Sequence, residues 1–254
     1  INIPIILLIF KINGFINDNF YELLTLLFTL AIILFLKKKN KINFIKEDIK
    51  KIFYIGTLSL FVIFFWVGFE QAGGSLTLYA SNSVDRNFFG FIVPASFFQS
   101  INPLIIILLG PLIANFWLRI DRSDHKINTS QKMGIGLILL SAGFFLIMYV
   151  NNSNASYISL WWLVGVYFLH TLGELCLSPI GLSMVSKVSP KKIASLMMGF
   201  WFLSAAIANY SAGKLPTILK SNNIDLFTFL TIMSLIAGIV LISIAPLMEK
   251  LVKK

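Results

Sequence analysis

Residues 227–247 read FTFLTIMSLIAGIVLISIAPL, a run without one charged side chain. At about 1.5 Å per residue, such a helix is long enough to cross the roughly 30 Å of hydrocarbon in a bilayer. Helices satisfy their own backbone hydrogen bonds, which lipid demands. Working outward, the blocks 52–67, 104–118, 133–150 and 158–172 are also apolar and uncharged. The whole chain is 57% hydrophobic and 13% charged over 254 residues, with a mean hydropathy of +0.84. A soluble domain of this length needs more polar side chains to cover its outer faces, typically about 25% charged. Period-two alternation with regular turns is absent, which disfavours a barrel. The fold class expected is an all-α membrane protein.

The net charge of +10 orients the chain. Lys37, Lys38, Lys39, Lys41, Lys46, Lys50 and Lys51 precede the first long span. Arg119, Arg122, Lys126 and Lys132 are expected in the loop after Leu118. Lys187, Lys191 and Lys192 flank Pro190, and Lys250, Lys253 and Lys254 close the sequence. The intervening loops hold Arg86, then no cation, then Lys214 and Lys220. Cations therefore collect in every second loop, which is the positive-inside pattern and places those loops and the C-terminus in the cytoplasm. A nucleic-acid surface would gather them on one soluble face instead, so no nucleic-acid partner is expected. The lone Cys176 lies in an apolar stretch and reads as an inert buried thiol.

Six spans are expected over residues 53–80, 94–118, 132–151, 158–186, 190–214 and 225–248. Before them, residues 1–10 are apolar but too short to span and read as the tail of a helix. Residues 21–36 are a second apolar segment, and residues 40–51 alternate apolar and charged positions as a short interfacial helix does. Gly73-Gly74, Pro103, Gly110-Pro111 and Pro179 interrupt the spans. Transporters concentrate such breakers near binding sites, although many only shape packing.

Two carboxylates fall inside the spans, Glu70 and Glu174. A charge at bilayer depth costs about 3 kcal/mol or more, so both are expected to face the bundle interior. One reading is a structural hydrogen bond to a neighbouring helix. The sharper one is a proton or substrate site, because a carboxyl in low dielectric can take up and release a proton near neutral pH. His170, Glu174 and Ser178 are four residues apart and share a helical face. His170 and Glu174 alone make an incomplete metal site, and no HExxH, GxSxG or phosphate-cradling loop is present. Metal catalysis, hydrolysis and ATP-driven transport therefore have little support, no metal or cofactor is expected, and His170 reads as a packed helix residue.

Four stretches together carry a resemblance: FFWVGFEQAGGSL (64–76), PASFFQSINPLIIILLGPLIANFW (94–117), LHTLGELCLSPIGLSMVSKVSP (169–190) and MMGFWFLSAAIANYSAGKL (197–215). In order and spacing they resemble the C-terminal half of the proton-dependent oligopeptide transporters of the major facilitator superfamily. GPLIANFWLRIDR (110–122) resembles that superfamily's loop signature, with Asn115 where an acid often stands. The resemblance implies a C-terminal six-helix bundle at 53–254. It also implies that residues 1–52 are part of an inserted helical hairpin with a basic cytoplasmic linker.

By that resemblance Glu70 matches a glutamate implicated in proton coupling, the proton being the coupling ion. Trp66 and Trp201 match aromatic walls of a peptide pocket. Asn102 matches a contact to the peptide's polar groups, and Glu174 the partner of its amino terminus. Ser178 shares the Glu174 face. The family's ExxER signature and its basic residues are expected in a first half not represented here, and no cation of this chain lies mid-membrane to pair with Glu70. Asn82 falls near the position of an extracellular gate acid, and Asp85 is the available substitute.

The implied function is proton-coupled symport of di- and tripeptides across the cytoplasmic, or inner, membrane by alternating access. The implied partners are the peptide, protons, the bilayer and an N-terminal six-helix half. Two alternatives stay open: a transporter of the same fold for another small solute, and a non-transporting truncated membrane protein, whether a fragment, a split gene product or a decayed copy.

Overall fold

The computed structural model describes residues 45–123, 127–151 and 157–252. The expected helical hairpin of the first 44 residues lies outside the described residues, as does Lys126. Among the described residues, six helical segments are long and apolar enough to cross a membrane, at Lys46–Ser83, Ala95–Arg122, Thr129–Asn151, Leu160–Val188, Lys191–Ser221 and Leu226–Val252. They agree with the six spans expected, within a few residues at most ends. The chain is a multi-pass helical membrane protein.

Helix α1 covers Lys46–Phe69, with Glu47 and Asp48 in its first turn, where acids complement the helix dipole. It runs unbroken through residues 46–51, so the described part of the expected interfacial helix is simply the start of the first span. Ile55, Leu58, Val62 and Phe65 recur at three- and four-residue steps and are fully or almost fully buried. The span then breaks into a 3-10 turn at Glu70–Gly73 and resumes as α2, Ser75–Ser83. A Cβ at Gly73 or Gly74 would meet nothing within 4 Å. Those glycines are therefore not spacers for packing, and their low helix propensity loosens the helix at this point.

Beyond α2, the two-residue strand β1 (Val84–Asp85) pairs in parallel with β4 (Ile158–Ser159), at the start of a later span. Between them β2 (Asn87–Phe88) and β3 (Phe91–Ile92) form a small hairpin. Its two-residue turn, Phe89 at φ 50° and Gly90 at φ 84°, has the positive φ angles of a type I′ connection. A 3-10 turn at Ala95–Ser100 leads into α3, Ile101–Arg122.

Helix α4 (Thr129–Asn151) starts at a reciprocal cap. Asn128 Oδ1 accepts the Gln131 N–H at 2.8 Å, and Gln131 Oε1 accepts the Asn128 N–H at 3.0 Å. Lys132 lies in its first turn, not in the preceding loop. It is 6% exposed, 2.6 Å from Asp121 Oδ1 and 5.1 Å from the centre of the Trp117 ring. Arg119 and Arg122 occupy the last turn of α3, where cations suit the dipole. The expected basic loop is thus largely two helix ends.

Helices α5 (Leu160–Val188), α6 (Ala194–Ser221) and α7 (Leu226–Val252) complete the bundle, a 3-10 turn at Lys191–Ile193 preceding α6. The core sits around α4, which packs on both α5 and α7. Lipid offers no hydrophobic drive for that contact, so close backbone approach at small residues must supply it. Gly136 meets Gly173 of α5, and Gly134 meets Gly238 of α7. Ser141 Oγ adds a hydrogen bond of 2.7 Å to the Thr231 carbonyl of α7.

Candidate functional site

Glu70 stands at the first position of the 3-10 turn that interrupts the first span. It lines a cavity of about 210 Å³ together with Phe69, Gly73, Gln99, Asn102, Tyr167, His170 and Thr171. Among the described residues its carboxylate makes no hydrogen bond or ion pair. Its neighbour Gln71 is buried and fully bonded, to the Val67 and Ala212 carbonyls and to Ser75.

Asn102, the second residue of α3, lines the same cavity. Its Nδ2 donates to Glu174 Oε2 at 2.7 Å and to Thr171 Oγ1 at 3.2 Å. The Thr171 hydroxyl spends its own proton on the Tyr167 carbonyl at 2.6 Å, which leaves its oxygen free to accept from Asn102. Glu174 therefore has a partner within the chain, the neutral amide of Asn102, which engages one of its two oxygens. Through Asn102, Glu174 is joined to the cavity that Glu70 lines.

Trp66, Ser178 and Trp201 line a separate small cavity of about 80 Å³ between α1, α5 and α6. Trp201 is 5% exposed, and its ring occupies the space where Gly181 has no Cβ. The Ser178 hydroxyl is buried and has no hydrogen-bond partner among the described residues. An edge contact between Trp66 and Phe69, with centroids 5.2 Å apart, connects this cavity to the Glu70 turn.

The shared face of His170, Glu174 and Ser178 leads to three different surroundings. His170 is wedged against Gly143 and lies tilted against Phe144, with ring centroids 4.5 Å apart, so it packs the α4–α5 interface. Glu174 turns to Asn102, and Ser178 to the tryptophan cavity. No three of His, Cys, Asp and Glu gather in metal-binding range among the described residues. Sequence reasoning passed over Thr171, Tyr167 and Gln99. The first two are polar residues at i−3 and i−7 from Glu174, a stripe that a search of the span for hydroxyls would have found.

A profile of the POT family matches residues 15–244. The peptide transporter YePEPT of Yersinia enterocolitica is 35% identical over 185 residues, covering 71% of this chain and 36% of that protein. A di-/tripeptide transporter of Lactococcus lactis is 29% identical over 246 residues, covering 94% of this chain and 49% of its own. A crystal structure of a peptide transporter POT in complex with sulfate superposes with a TM-score of 0.81 at 30% identity, over 99% of this chain and 52% of that one. The chain thus spans half or less of the length of these two relatives, and about half of the superposed structure.

Proposed function

The chain belongs to the POT family, whose members are transporters and not enzymes, and on that premise we propose that it is the C-terminal half of a proton-coupled symporter of di- and tripeptides. Its six-helix bundle, expected over residues 53–254, starts earlier, with α1 at Lys46, and the residues before it are read as part of an inserted hairpin and basic linker. The protein resides in the cytoplasmic membrane with its C-terminus inside, as its alternating basic loops suggest.

One observation carries the reading: Asn102, which lines the cavity of one intramembrane acid, Glu70, also holds the other, Glu174, so the two acids are linked through one side chain and are held differently. Glu174 is oriented by Asn102, while Glu70 is unpaired among the described residues. A peptide carries an ammonium at one end whatever its sequence. Glu174, with one oxygen held and the other open, is suited to receive it, and Asn102 and Ser178 add polar contacts. Trp66 and Trp201 offer apolar walls that tolerate varied side chains. Glu70 is the proton carrier. Ionised, it attracts a cation of the N-terminal half; protonated, it releases that half and lets the two bundles rock.

The test is uptake of a labelled dipeptide by the intact protein in liposomes under an inward proton gradient. Glu70→Gln should abolish accumulation while leaving exchange of peptide for peptide. Gradient-driven accumulation that survives the substitution would remove Glu70 from the coupling role.

A further inference from the structure

The turn that carries Glu70 is tied to α6 by the next residue. Gln71 is 2% exposed. Its Nε2 donates to the Val67 carbonyl at 3.2 Å and to the Ala212 carbonyl at 3.1 Å, and its Oε1 accepts from Ser75 Oγ at 2.7 Å. Two carbonyl acceptors on one end of the amide and a hydroxyl donor on the other leave only one sensible orientation.

The Ala212 carbonyl is available for a reason written in α6. In an α-helix the carbonyl of residue i accepts from the N–H of residue i+4. For Ala212 that residue is Pro216, inside the helix, which has no N–H to give. Ala212 is buried, so its carbonyl cannot turn to water. A buried carbonyl left alone costs about as much as a lost hydrogen bond. Gln71 supplies the donor that Pro216 withholds.

We infer that Gln71 is the positioning residue of the Glu70 turn: its amide, seated on the α6 carbonyl that Pro216 frees, makes the break in the first span and the helix carrying Trp201 hold or release together. The latch stands on hydrogen-bond geometry. Only its consequence for coupling rests on the proton role proposed for Glu70. Gly73 and Gly74 contribute no side-chain packing to this turn, so its tertiary hold falls on Gln71 and on Tyr167, whose hydroxyl donates to the Ala72 carbonyl at 3.3 Å.

The experiment is a double-mutant cycle of Gln71→Leu and Pro216→Ala in the intact protein, read by thermal unfolding in detergent. Pro216→Ala restores an N–H that can recapture the Ala212 carbonyl within α6. Gln71→Leu should then cost less than about half as much in that background as in the wild type, and additive losses would overturn the latch. Positioning is read separately, as the rate at which a hydrophobic carbodiimide labels Glu70. Both single variants should change that rate by about threefold or more in the same direction, through loss of one hydrogen bond. Unchanged labelling in the folded Pro216→Ala protein would overturn the positioning role even if Gln71→Leu does not fold. In liposomes Gln71→Leu should displace the pH profile of gradient-driven uptake. If the wild type shows no such uptake, the proposed function fails, and the cycle and the labelling still decide the latch.

Discussion

Gly136 of α4 and Gly173 of α5 approach so closely that a Cβ added to either would stand 2.7 Å from the other's carbonyl oxygen. Gly173 is followed directly by Glu174, so the contact that brings the two helices together also fixes where that carboxylate projects. Packing and site are one arrangement here, because α5 cannot move away from α4 without carrying Glu174 from Asn102.

Gly173→Ala should therefore destabilise the protein by about 1–3 kcal/mol, since backbone atoms cannot yield as a flexible side chain would. Gly199→Ala is the control. A Cβ there meets nothing within 4 Å, and alanine is the better helix former by about 1 kcal/mol, so stability should hold or rise. Thermal unfolding in detergent compares the two, and equal effects would deny the close contact its importance.

At Gly143 the obstacle is the His170 imidazole. Gly143→Ala should cost about 1–3 kcal/mol by overpacking, and His170→Ala alone about 2–4 kcal/mol by leaving a void beside Phe144. The double variant should cost clearly less than the sum, because the new methyl enters space the ring has left. Strict additivity in the measured unfolding free energies would show that the two side chains do not compete.

The Asp121–Lys132 pair is unevenly buried, with side-chain exposures of 48% for Asp121 and 8% for Lys132. Asp121→Asn leaves a buried ammonium facing a weaker acceptor and should cost about 1–3 kcal/mol. Lys132→Met removes the buried charge and lets Asp121 regain water, so it should cost less. The order of the two, read by chemical denaturation, is the test, and the reverse order would mean that Trp117 and solvent already satisfy Lys132.

For the peptide site, Glu174→Ala should weaken binding of peptides with a free amino end about tenfold or more, the scale of a lost charged hydrogen bond. N-acylated peptides should be affected much less. Asn102→Ala should act in the same direction but more mildly, since it removes the group that orients the acid and not the acid itself. Equal losses for free and blocked peptides, measured by equilibrium binding to the intact protein, would contradict the ammonium contact.

The class of fold was legible in residues 227–247 and the blocks like it, because the demand for some twenty uncharged residues per crossing acts on the chain locally. Glu70 and Glu174 were conspicuous for the same reason: a carboxylate inside an apolar run is costly wherever the helices go. What only the tertiary structure decided is which residues meet. Asn102 and Glu174 are far apart in the chain, and their 2.7 Å bond depends on how α3 crosses α5. The common face of His170, Glu174 and Ser178 follows from helical periodicity, yet its three residues end in three environments because α4, α3 and α6 each cover a different part of it. Lys132 read as a loop cation until the ends of α3 and α4 brought Asp121 and Trp117 to it. Pro216 announces a freed carbonyl by its own chemistry, but that Gln71 would fill it is a matter of packing, which no local pattern encodes.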